Sequence, residues 1–193
     1  VDAGTEVAIV IGGGNFWRGR SSETIDRTKA DQIGMMATVM NSLVLKDMFR
    51  QVGCEVYNQS GLYVGIIDKI DSDKAKKALN DGKIVVFGGG TGKPFFSTDT
   101  GASLRAIDIG ADMIIKLTNV DGVYDKDPNK YSDAKMYDTV SYQTVIDNKL
   151  GVMDMEAIEM CRNNKIEIVV MNIDTKNGLS RIIHGEKIGT IVK

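Results

Sequence analysis

The 193-residue sequence has few of the residues on which several large enzyme classes depend. It contains one histidine, His184, and two cysteines, Cys54 and Cys161, which lie far apart and form no CxxC spacing. Serine–histidine hydrolysis and zinc chemistry are therefore poorly supported, and we predict no metal site built from the chain's own side chains. Both cysteines have apolar neighbours, so we interpret them as buried free thiols of a cytoplasmic protein.

The sequence also lacks a large excess of charge of either sign and any long apolar run. The 24 basic and 26 acidic residues leave a formal charge of −2, which argues against a broad basic surface for nucleic acid. No apolar run approaches the roughly 20 residues needed to cross a bilayer, and no signal peptide opens the sequence. With two prolines and no low-complexity tract, no domain boundary is evident, so we predict one domain over residues 1–193.

Short apolar runs alternate with helical patterns along the chain. Such runs are typical of fully buried strands in a parallel sheet. We expect strands at residues 7–11, 55–57, 83–87, 113–117, 167–171 and 189–192. We expect helices at residues 31–52, 73–80, 99–109 and 154–164, with Ser72 as the N-cap of the second. This alternation predicts an α/β fold of three α/β/α layers with a mainly parallel central sheet.

Glycine, by contrast, is abundant and clusters after two of the predicted strands. Residues 12–14 are three glycines, which let backbone N–H groups approach an anion, and Arg18 adds a fork of donors suited to phosphate. Residues 88–99 combine glycines, hydroxyls and a helix N-terminus, as in a phosphate or nucleoside cradle. Phe87 and Pro94 occupy positions where a Walker A loop needs glycine and Ser or Thr, and no GxGxxG pattern is complete.

A third strand end, residues 116–128, runs into Asp-Gly and Asp-Pro turns with Tyr124 between them. The aromatic ring could hold an adenine. Taken alone, this segment is equally well explained as a polar turn.

Four segments resemble the bacterial UMP kinase family, which has the amino-acid kinase fold. Residues 12–19 are similar to its GGGNxxRG loop, and residues 31–41 resemble its D-x-x-G-M-x-A-T-x-x-N helix. Residues 91–99 are similar to its TGNPFFTTD segment, and residues 120–128 to its VDGVYxxDP loop. The segments follow the family's order, and the similarity covers nearly the whole chain. The resemblance implies a nucleoside-monophosphate kinase that transfers the ATP γ-phosphate to UMP, giving UDP in pyrimidine nucleotide biosynthesis.

The resemblance also implies which residues bind the two nucleotides. UMP would be held by Gly13, Asp31, Thr91, Gly92, Lys93, Pro94, Phe95, Phe96, Ser97 and Thr98. ATP would be held by Gly14, Arg18, Thr118, Tyr124 and Asp127. Catalytic roles fall on Arg18 and on Asp99, which matches an aspartate thought to position phosphate-binding lysines.

The chemistry of phosphoryl transfer agrees with the scarcity of histidine. The phosphate of UMP carries nearly two negative charges near neutral pH, so the attacking group needs no general base. The reaction instead needs the attacking and leaving oxygens to be held in line and the charge on the transferred phosphoryl group to be neutralised. Backbone N–H groups, Arg18, lysines and Mg²⁺ bound with ATP would supply them.

Three departures from the family bear on these expectations. The family's first strand, which ends in K-L-S-G-E, is absent, so we expect the chain to be a poor catalyst and to expose a sheet edge if nothing precedes Val1. Lys93 stands where the family usually has asparagine, and its ammonium could meet phosphate. Residues 58–71 match the family poorly and receive no role.

Assembly and alternative functions are expectations of the same resemblance. It implies a homohexamer of dimers, with UTP as inhibitor and GTP as possible activator. The apolar stripe Met35, Met36 and Met40 suits an interface, although core packing is the commoner explanation. The alternatives are a carbamate, acetylglutamate or aspartate kinase, and a non-catalytic nucleotide- or oxoanion-binding protein of the same fold. Residues 94–96 and the Met35-Met36 helix favour the nucleotide kinase.

Overall fold

The computed structural model describes residue 1, residues 3–17 and residues 25–193. These residues form two compact units, Val1–Arg105 and Ala106–Lys193. The interpretation of the chain as one domain stays a prediction. None of the described helices is both long enough and apolar enough to span a membrane.

The first unit is built on a parallel sheet. Its elements are β1 (Ala8–Val10), α1 (Arg27–Gln51), β2 (Val56–Ser60), β3 (Asp68–Lys69), α2 (Ser72–Asn80), β4 (Ile84–Gly88) and α3 (Thr98–Ile109), the last of which runs beyond the unit. The strand order is β1-β4-β2-β3, and every pairing is parallel. The carboxyl ends of β1, β2 and β4 therefore lie at one edge of the sheet, where ligands collect in such folds.

The second unit has a mixed sheet. Its elements are β5 (Met113–Thr118), β6 (Thr139–Val140), α4 (Tyr142–Asp147), α5 (Met155–Asn164), β7 (Glu167–Asn172), α6 (Gly178–Ile183) and β8 (Thr190–Val192). The order is β5-β7-β8-β6, and only β7 and β8 pair antiparallel. The predicted α/β class with mainly parallel strands is confirmed. The two-residue strands β3 and β6 and the six-residue helices α4 and α6 were not predicted, because such short elements carry no clear periodicity.

Burial corrects the expectation that every apolar run is fully buried. All five residues of β4 are buried, and so are the four central residues of β7. No residue of β1 or β5 is buried; each is half-buried or exposed. The cause is position, since β1 and β5 each lie at the end of a strand order and have one paired neighbour among the described strands.

Helix α1 has two faces of opposite character. It begins at Arg27, where the Asp26 side chain accepts a hydrogen bond from the Lys29 N–H, and so starts earlier than predicted. Small or polar residues form most of the buried face, which comprises Ala30, Met35, Ala37, Thr38, Val39 and Ser42. The exposed face comprises Ile33, Met36, Met40, Val44 and Met48, between 39% and 57% exposed. The explanation of the methionine stripe as core packing is therefore wrong for Met36 and Met40, which are exposed, and right for Met35, which is buried.

Helix α2 starts one residue earlier than expected. Its N-cap is Asp71, whose side chain accepts from the Lys74 N–H, and Ser72 is the first helical residue. The prediction of Ser72 as N-cap is wrong, since serine and aspartate both suit the position and only the backbone course decides between them.

Tyr142 ties α4 to the start of β7 in the core of the second unit. Its side chain is 6% exposed, and its hydroxyl donates to the Ile166 carbonyl. Burial raises the pKa of the Tyr142 phenol above its ordinary value near 10.

This raised pKa predicts a loss of stability at alkaline pH. Above about pH 10 the phenol ionises in the unfolded chain but stays protonated in the folded one, so the free energy of unfolding falls as pH rises. We expect Tyr142→Phe to flatten that fall in urea denaturation at about pH 8 and pH 11. Tyr131→Phe, which alters an exposed phenol, is the control. Equal pH dependence in both variants and the wild type would contradict the prediction.

Candidate functional site

The first glycine loop lies directly on the small face of α1. A Cβ added at Gly13 would lie 2.7 Å from the Gly34 carbonyl oxygen and 2.9 Å from the Ala37 Cβ. No side chain fits between loop and helix, which explains why glycine and alanine stand at these positions. The loop then turns tightly, with the N–H groups of Phe16 and Trp17 donating to the Gly13 carbonyl.

Asn41 holds this loop from the next turn of α1. Its amide nitrogen donates to the Gly12 carbonyl at 2.8 Å and to the Asn15 Oδ1 at 2.8 Å. The Asn15 amide donates back to the Asn41 Oδ1 at 3.2 Å. Asn41 is thus a support of the loop rather than a ligand-facing group.

The second glycine loop follows β4 and is held by the same helix. The Thr38 hydroxyl donates to the Met35 carbonyl and accepts from the Gly89 N–H, both at 2.7 Å. A Cβ at Gly88 would lie 2.8 Å from the Ser42 Oγ, so β4 also approaches α1 closely. The successive positive φ angles of Gly89 and Gly90, 72° and 54°, require glycine.

Residues 58–71, to which the sequence assigned no role, support the second loop from its other side. The Gly61 N–H donates to the Gly88 carbonyl at 3.0 Å. A Cβ at Gly92 would lie 2.3 Å from the Gly61 oxygen, so the two backbones are in contact. The buried Gln59 side chain holds this segment by bonding both the N–H and the carbonyl of Asp71.

Asp31 links α1 to the loop that precedes α3. Its Oδ2 accepts from the Phe95 N–H at 2.9 Å and from the Arg27 Nε at 2.8 Å. The Arg27 guanidinium lies 5.7 Å from the centroid of the Phe95 ring. Phe95 has a φ of 74°, an unusual conformation for a residue with a side chain.

Hydroxyl groups mark the start of α3. The Ser97 Oγ accepts from the Thr100 N–H at 3.1 Å, as an N-cap does. Thr98 and Asp99 form the first turn. In the preceding loop, the Thr91 hydroxyl accepts from the Lys93 N–H at 3.2 Å, and Lys93 itself is exposed.

These elements line an open cavity of about 500 Å³ in the first unit. Of the predicted residues, Gly13, Gly14, Asp31, Phe96, Ser97 and Thr98 line it. Thr91, Gly92, Lys93, Pro94, Phe95 and Asp99 do not line it, and Arg18 lies outside the described residues. Lining residues to which the sequence gave no binding role are Trp17, Arg27, Ala30, Gly34, Met35, Thr38 and Gly90. Five of these lie on α1, and four of the five, Arg27, Gly34, Met35 and Thr38, are three, four or seven residues from Asp31, so helical spacing could have found them.

The cavity is suited to a polar ligand with both anionic and hydroxyl groups. The hydroxyls of Ser97 and Thr98, the glycine backbone and the start of α3 supply donors for an anion. Asp31 supplies an acceptor. Among the described residues, no cluster of three or more His, Cys, Asp or Glu side chains could hold a metal ion.

The predicted adenosine residues lie in the second unit. Thr118 ends β5, and its carbonyl accepts from the Ile173 N–H at 2.9 Å. Tyr124 bridges to Met136 in the following loop, and Asp127 is exposed. No hydrogen bond or ion pair in the described part of the chain joins these three residues. The Asn129 N–H, with Lys130 close by, lowers the pKa of the Asp127 carboxyl.

The loop between Thr118 and Tyr124 is held by one exposed and one buried hydrogen bond. The Asn172 amide donates to the Asp121 Oδ1 at 2.9 Å, and the Thr190 hydroxyl accepts from the Val123 N–H at 2.8 Å. A Cβ at Gly122 would lie 2.5 Å from the Thr190 Oγ1. The Asp-Gly turn is therefore built into the fold of this unit.

The Thr38 hydroxyl is expected to be needed for the shape of the second loop. Thr38→Val keeps the side-chain volume but leaves the buried Gly89 N–H without its acceptor, at a cost of about 1–3 kcal/mol. We expect lower unfolding free energy by urea denaturation and a roughly tenfold weaker ligand affinity of the cavity. Thr38→Ser, which keeps the hydroxyl, is the matched control. If Val and Ser variants behave alike, the hydrogen bond has no such role.

Known proteins are similar to this chain in sequence and fold. Residues 1–172 match the amino acid kinase family. The solved UMP kinase of Bacillus anthracis is 37% identical with a TM-score of 0.96, over 100% of this chain and 81% of that one. The UMP kinase of Ureaplasma parvum is 34% identical with a TM-score of 0.91, over 97% of this chain and 81% of that one. The uridylate kinase of Archaeoglobus fulgidus is 29% identical with a TM-score of 0.76, over 100% of this chain and 87% of that one.

Proposed function

The chain belongs to the amino acid kinase family, and from that premise we propose that it transfers the γ-phosphoryl group of ATP to UMP, giving UDP for pyrimidine nucleotide biosynthesis. The observation that carries the proposal is the cavity of the first unit, where α1 holds two glycine loops around one carboxylate and three hydroxyls. The similarity to UMP kinases supports UMP as the acceptor.

The proposed step needs positioning rather than a base. An oxygen of the UMP phosphate forms a bond to the γ-phosphorus, while the bond from that phosphorus to the β–γ bridging oxygen breaks and ADP leaves. The attacking phosphate is already ionised, so no proton has to be removed from it. The chain's contribution is to hold the acceptor in line and to neutralise charge on the transferred group.

Groups of the first unit suit the phosphates. Gly13 belongs to the first loop, and Thr91 and Gly92 to the second; we propose that both loops offer backbone N–H groups to phosphate oxygens. Ser97 and Thr98 stand at the positive end of the twelve-residue helix α3. The exposed Lys93 would add a cation, and Phe96, which lines the cavity, would face the base, with Pro94 and Phe95 next to it in the loop.

The ATP groups are proposals of the same family relationship. Gly14 would face the ATP phosphates together with Arg18, and Thr118, Tyr124 and Asp127 would contact the adenosine. Asp99, in the first turn of α3, would position a phosphate-binding lysine. We propose that Mg²⁺ is bound by the ATP phosphates and supplies charge neutralisation there.

The deciding assay is ADP release from Mg·ATP with UMP as acceptor. We expect UMP-dependent turnover, with CMP, acetylglutamate, aspartate, carbamate and acceptor-free reactions as controls. Faster turnover with one of the other acceptors would show that this compound, and not UMP, is the acceptor. Equilibrium binding of UMP without any turnover would favour a nucleotide-binding protein over an enzyme.

We further propose a cytoplasmic homohexamer assembled from dimers, inhibited by UTP and open to activation by GTP. The exposed apolar face of α1, including Met36 at 45% and Met40 at 41% exposure, supports self-association, because such a stripe is costly to leave in water. Analytical ultracentrifugation of the wild-type protein should show a hexamer. The substitution Met40→Lys should lower the fraction of protein in that hexamer. A wild-type monomer would contradict this assembly, and added UTP or GTP in the turnover assay tests the effectors.

A further inference from the structure

A second open cavity, of about 410 Å³, lies in the second unit. It is lined by the start of α4, the end of α5, the start of β7 and the residue that follows β8. We infer that this basic cavity binds a small polyphosphate, free or as part of a nucleotide, through Arg162, Lys165 and Lys193. The inference goes beyond the proposed reaction and does not depend on it.

The basic cavity lies at the opposite end of the strands from the residues proposed for adenosine. Glu167, which lines it, is the first residue of β7 and pairs with Met113, whereas Thr118 ends β5 beside Asn172. The two ends of β7 are five residue steps apart, roughly 17 Å at about 3.3 Å per residue. A ligand in the basic cavity would therefore not occupy the adenosine site proposed for this unit.

The charge of the lining favours an anion with more than one negative charge. Arg162, Lys165 and Lys193 are exposed, and none of them forms an ion pair with a carboxylate in the part of the chain that the structure describes. Among the described lining residues, Glu167 is the only carboxylate, so the three cations leave two net positive charges. Guanidinium and ammonium groups are the usual donors to phosphate oxygens.

The cations converge from two separate elements. Basic residues at the end of a helix also suit its negative pole, which accounts for Arg162 and Lys165 on α5 by themselves. It does not account for Lys193, which follows β8. The Lys193 N–H donates to the Val140 carbonyl, and its carbonyl accepts from the Tyr142 N–H, both at 3.2 Å. The tertiary fold thus fixes the main chain of the third cation beside the same cavity.

The backbone of Lys165 offers a way to separate binding from stability. Its φ of 57° and ψ of 35° are left-handed, a conformation that asparagine adopts more readily than lysine. Lys149, which is also exposed, has a φ of 49° but does not line the basic cavity. Lys165→Asn and Lys149→Asn therefore relieve the same strain, and only the first removes a cation from the proposed site.

The test measures how fast each lysine of the full chain reacts with an acetylating reagent, by mass spectrometry, as inorganic tripolyphosphate is added. A bound polyphosphate pairs with the ammonium groups and slows their reaction. We expect Lys165 and Lys193 to react at least about threefold more slowly, and Lys149 to react as before. Potassium chloride at equal ionic strength is the control for screening. CTP as a second probe shows whether a nucleotide-bound polyphosphate is also taken.

Four variants refine the test. Arg162→Gln and Lys165→Asn should each raise the tripolyphosphate concentration that half-protects Lys193 about fivefold, because each removes a charge-assisted hydrogen bond. Glu167→Gln should lower that concentration about twofold, because it removes the like charge from the lining. Lys149→Asn should leave it unchanged. Both asparagine variants should unfold at or above the wild-type temperature, so a loss of binding would not reflect misfolding.

Three outcomes would overturn the inference. Slowing of Lys149 equal to that of Lys165, or equal slowing by potassium chloride, would show screening without a site. Wild-type protection in both Arg162→Gln and Lys165→Asn would show that these cations do not bind the anion. Lysines of the basic cavity that fail to react even without anion would show that it is covered in the assembled protein. Absence of UMP-dependent ADP release would overturn the proposed function and leave this inference standing.

Discussion

Replacement of Gly92 by alanine is expected to lower the free energy of unfolding by about 3 kcal/mol and to reduce UMP-dependent turnover at least a hundredfold. Two effects add at this position. The φ of Gly92 is 78°, which costs a residue with a side chain about 1–2 kcal/mol. The new Cβ would also lie 2.3 Å from the Gly61 oxygen, so the second glycine loop has to move.

A pair of controls separates strain from the contact. Gly82 has a φ of 76° with no atom within 4 Å of an added Cβ, so Gly82→Ala carries the backbone strain alone. Gly151 has open space and no positive φ, so Gly151→Ala should change little. Urea denaturation and the ADP-release assay measure the three variants. If Gly92→Ala matches Gly82→Ala in stability and activity, the contact with Gly61 is unimportant.

The second large effect is expected at Gly13. Gly13→Ala places a Cβ 2.7 Å from the Gly34 carbonyl oxygen and 2.9 Å from the Ala37 Cβ. Backbone cannot yield as a flexible side chain does, so the first loop must lift away from α1, with a stability loss of about 2 kcal/mol. Because the loop lines the cavity, UMP affinity should fall about a hundredfold, about 2.7 kcal/mol of binding free energy.

The neighbouring glycine supplies the matched control for Gly13. A Cβ at Gly12 has its nearest atom, the Thr98 Oγ1, at 3.8 Å, which is ordinary contact. Gly12→Ala should therefore unfold at nearly the wild-type urea concentration. Trp17 fluorescence titration with UMP measures the affinity of both variants. Retention of wild-type affinity by Gly13→Ala would show that the close approach to α1 does not shape the site.

Several features of the site could be predicted from the sequence alone. The run of residues 83–87 identified β4 because four successive apolar residues are typical of a buried strand. The glycines that follow marked the loop, since positive φ angles and close backbone approach both need that residue. The resemblance of residues 31–41 to a family helix singled out Asp31, which the structure places on the cavity wall.

The partners of these residues could not be predicted, because hydrogen bonds across the fold depend on which elements are adjacent. Asp31 meets the Phe95 N–H across 64 positions, and the Thr38 hydroxyl meets the Gly89 N–H across 51. Gly61 received no role because nothing in its local sequence shows that a second glycine backbone lies against it.

The division between sequence and tertiary structure is clearest in helix α1. The sequence by itself determined that residues near 31–52 form a helix with a large apolar stripe, since helical periodicity is a local property. Only the tertiary structure decided that small residues such as Ala37 face the core while Met40 faces outward. Burial here follows from what can approach the helix: the first glycine loop and β4 lie against Ala37 and Ser42, where a side chain as large as that of Met40 would hold them away.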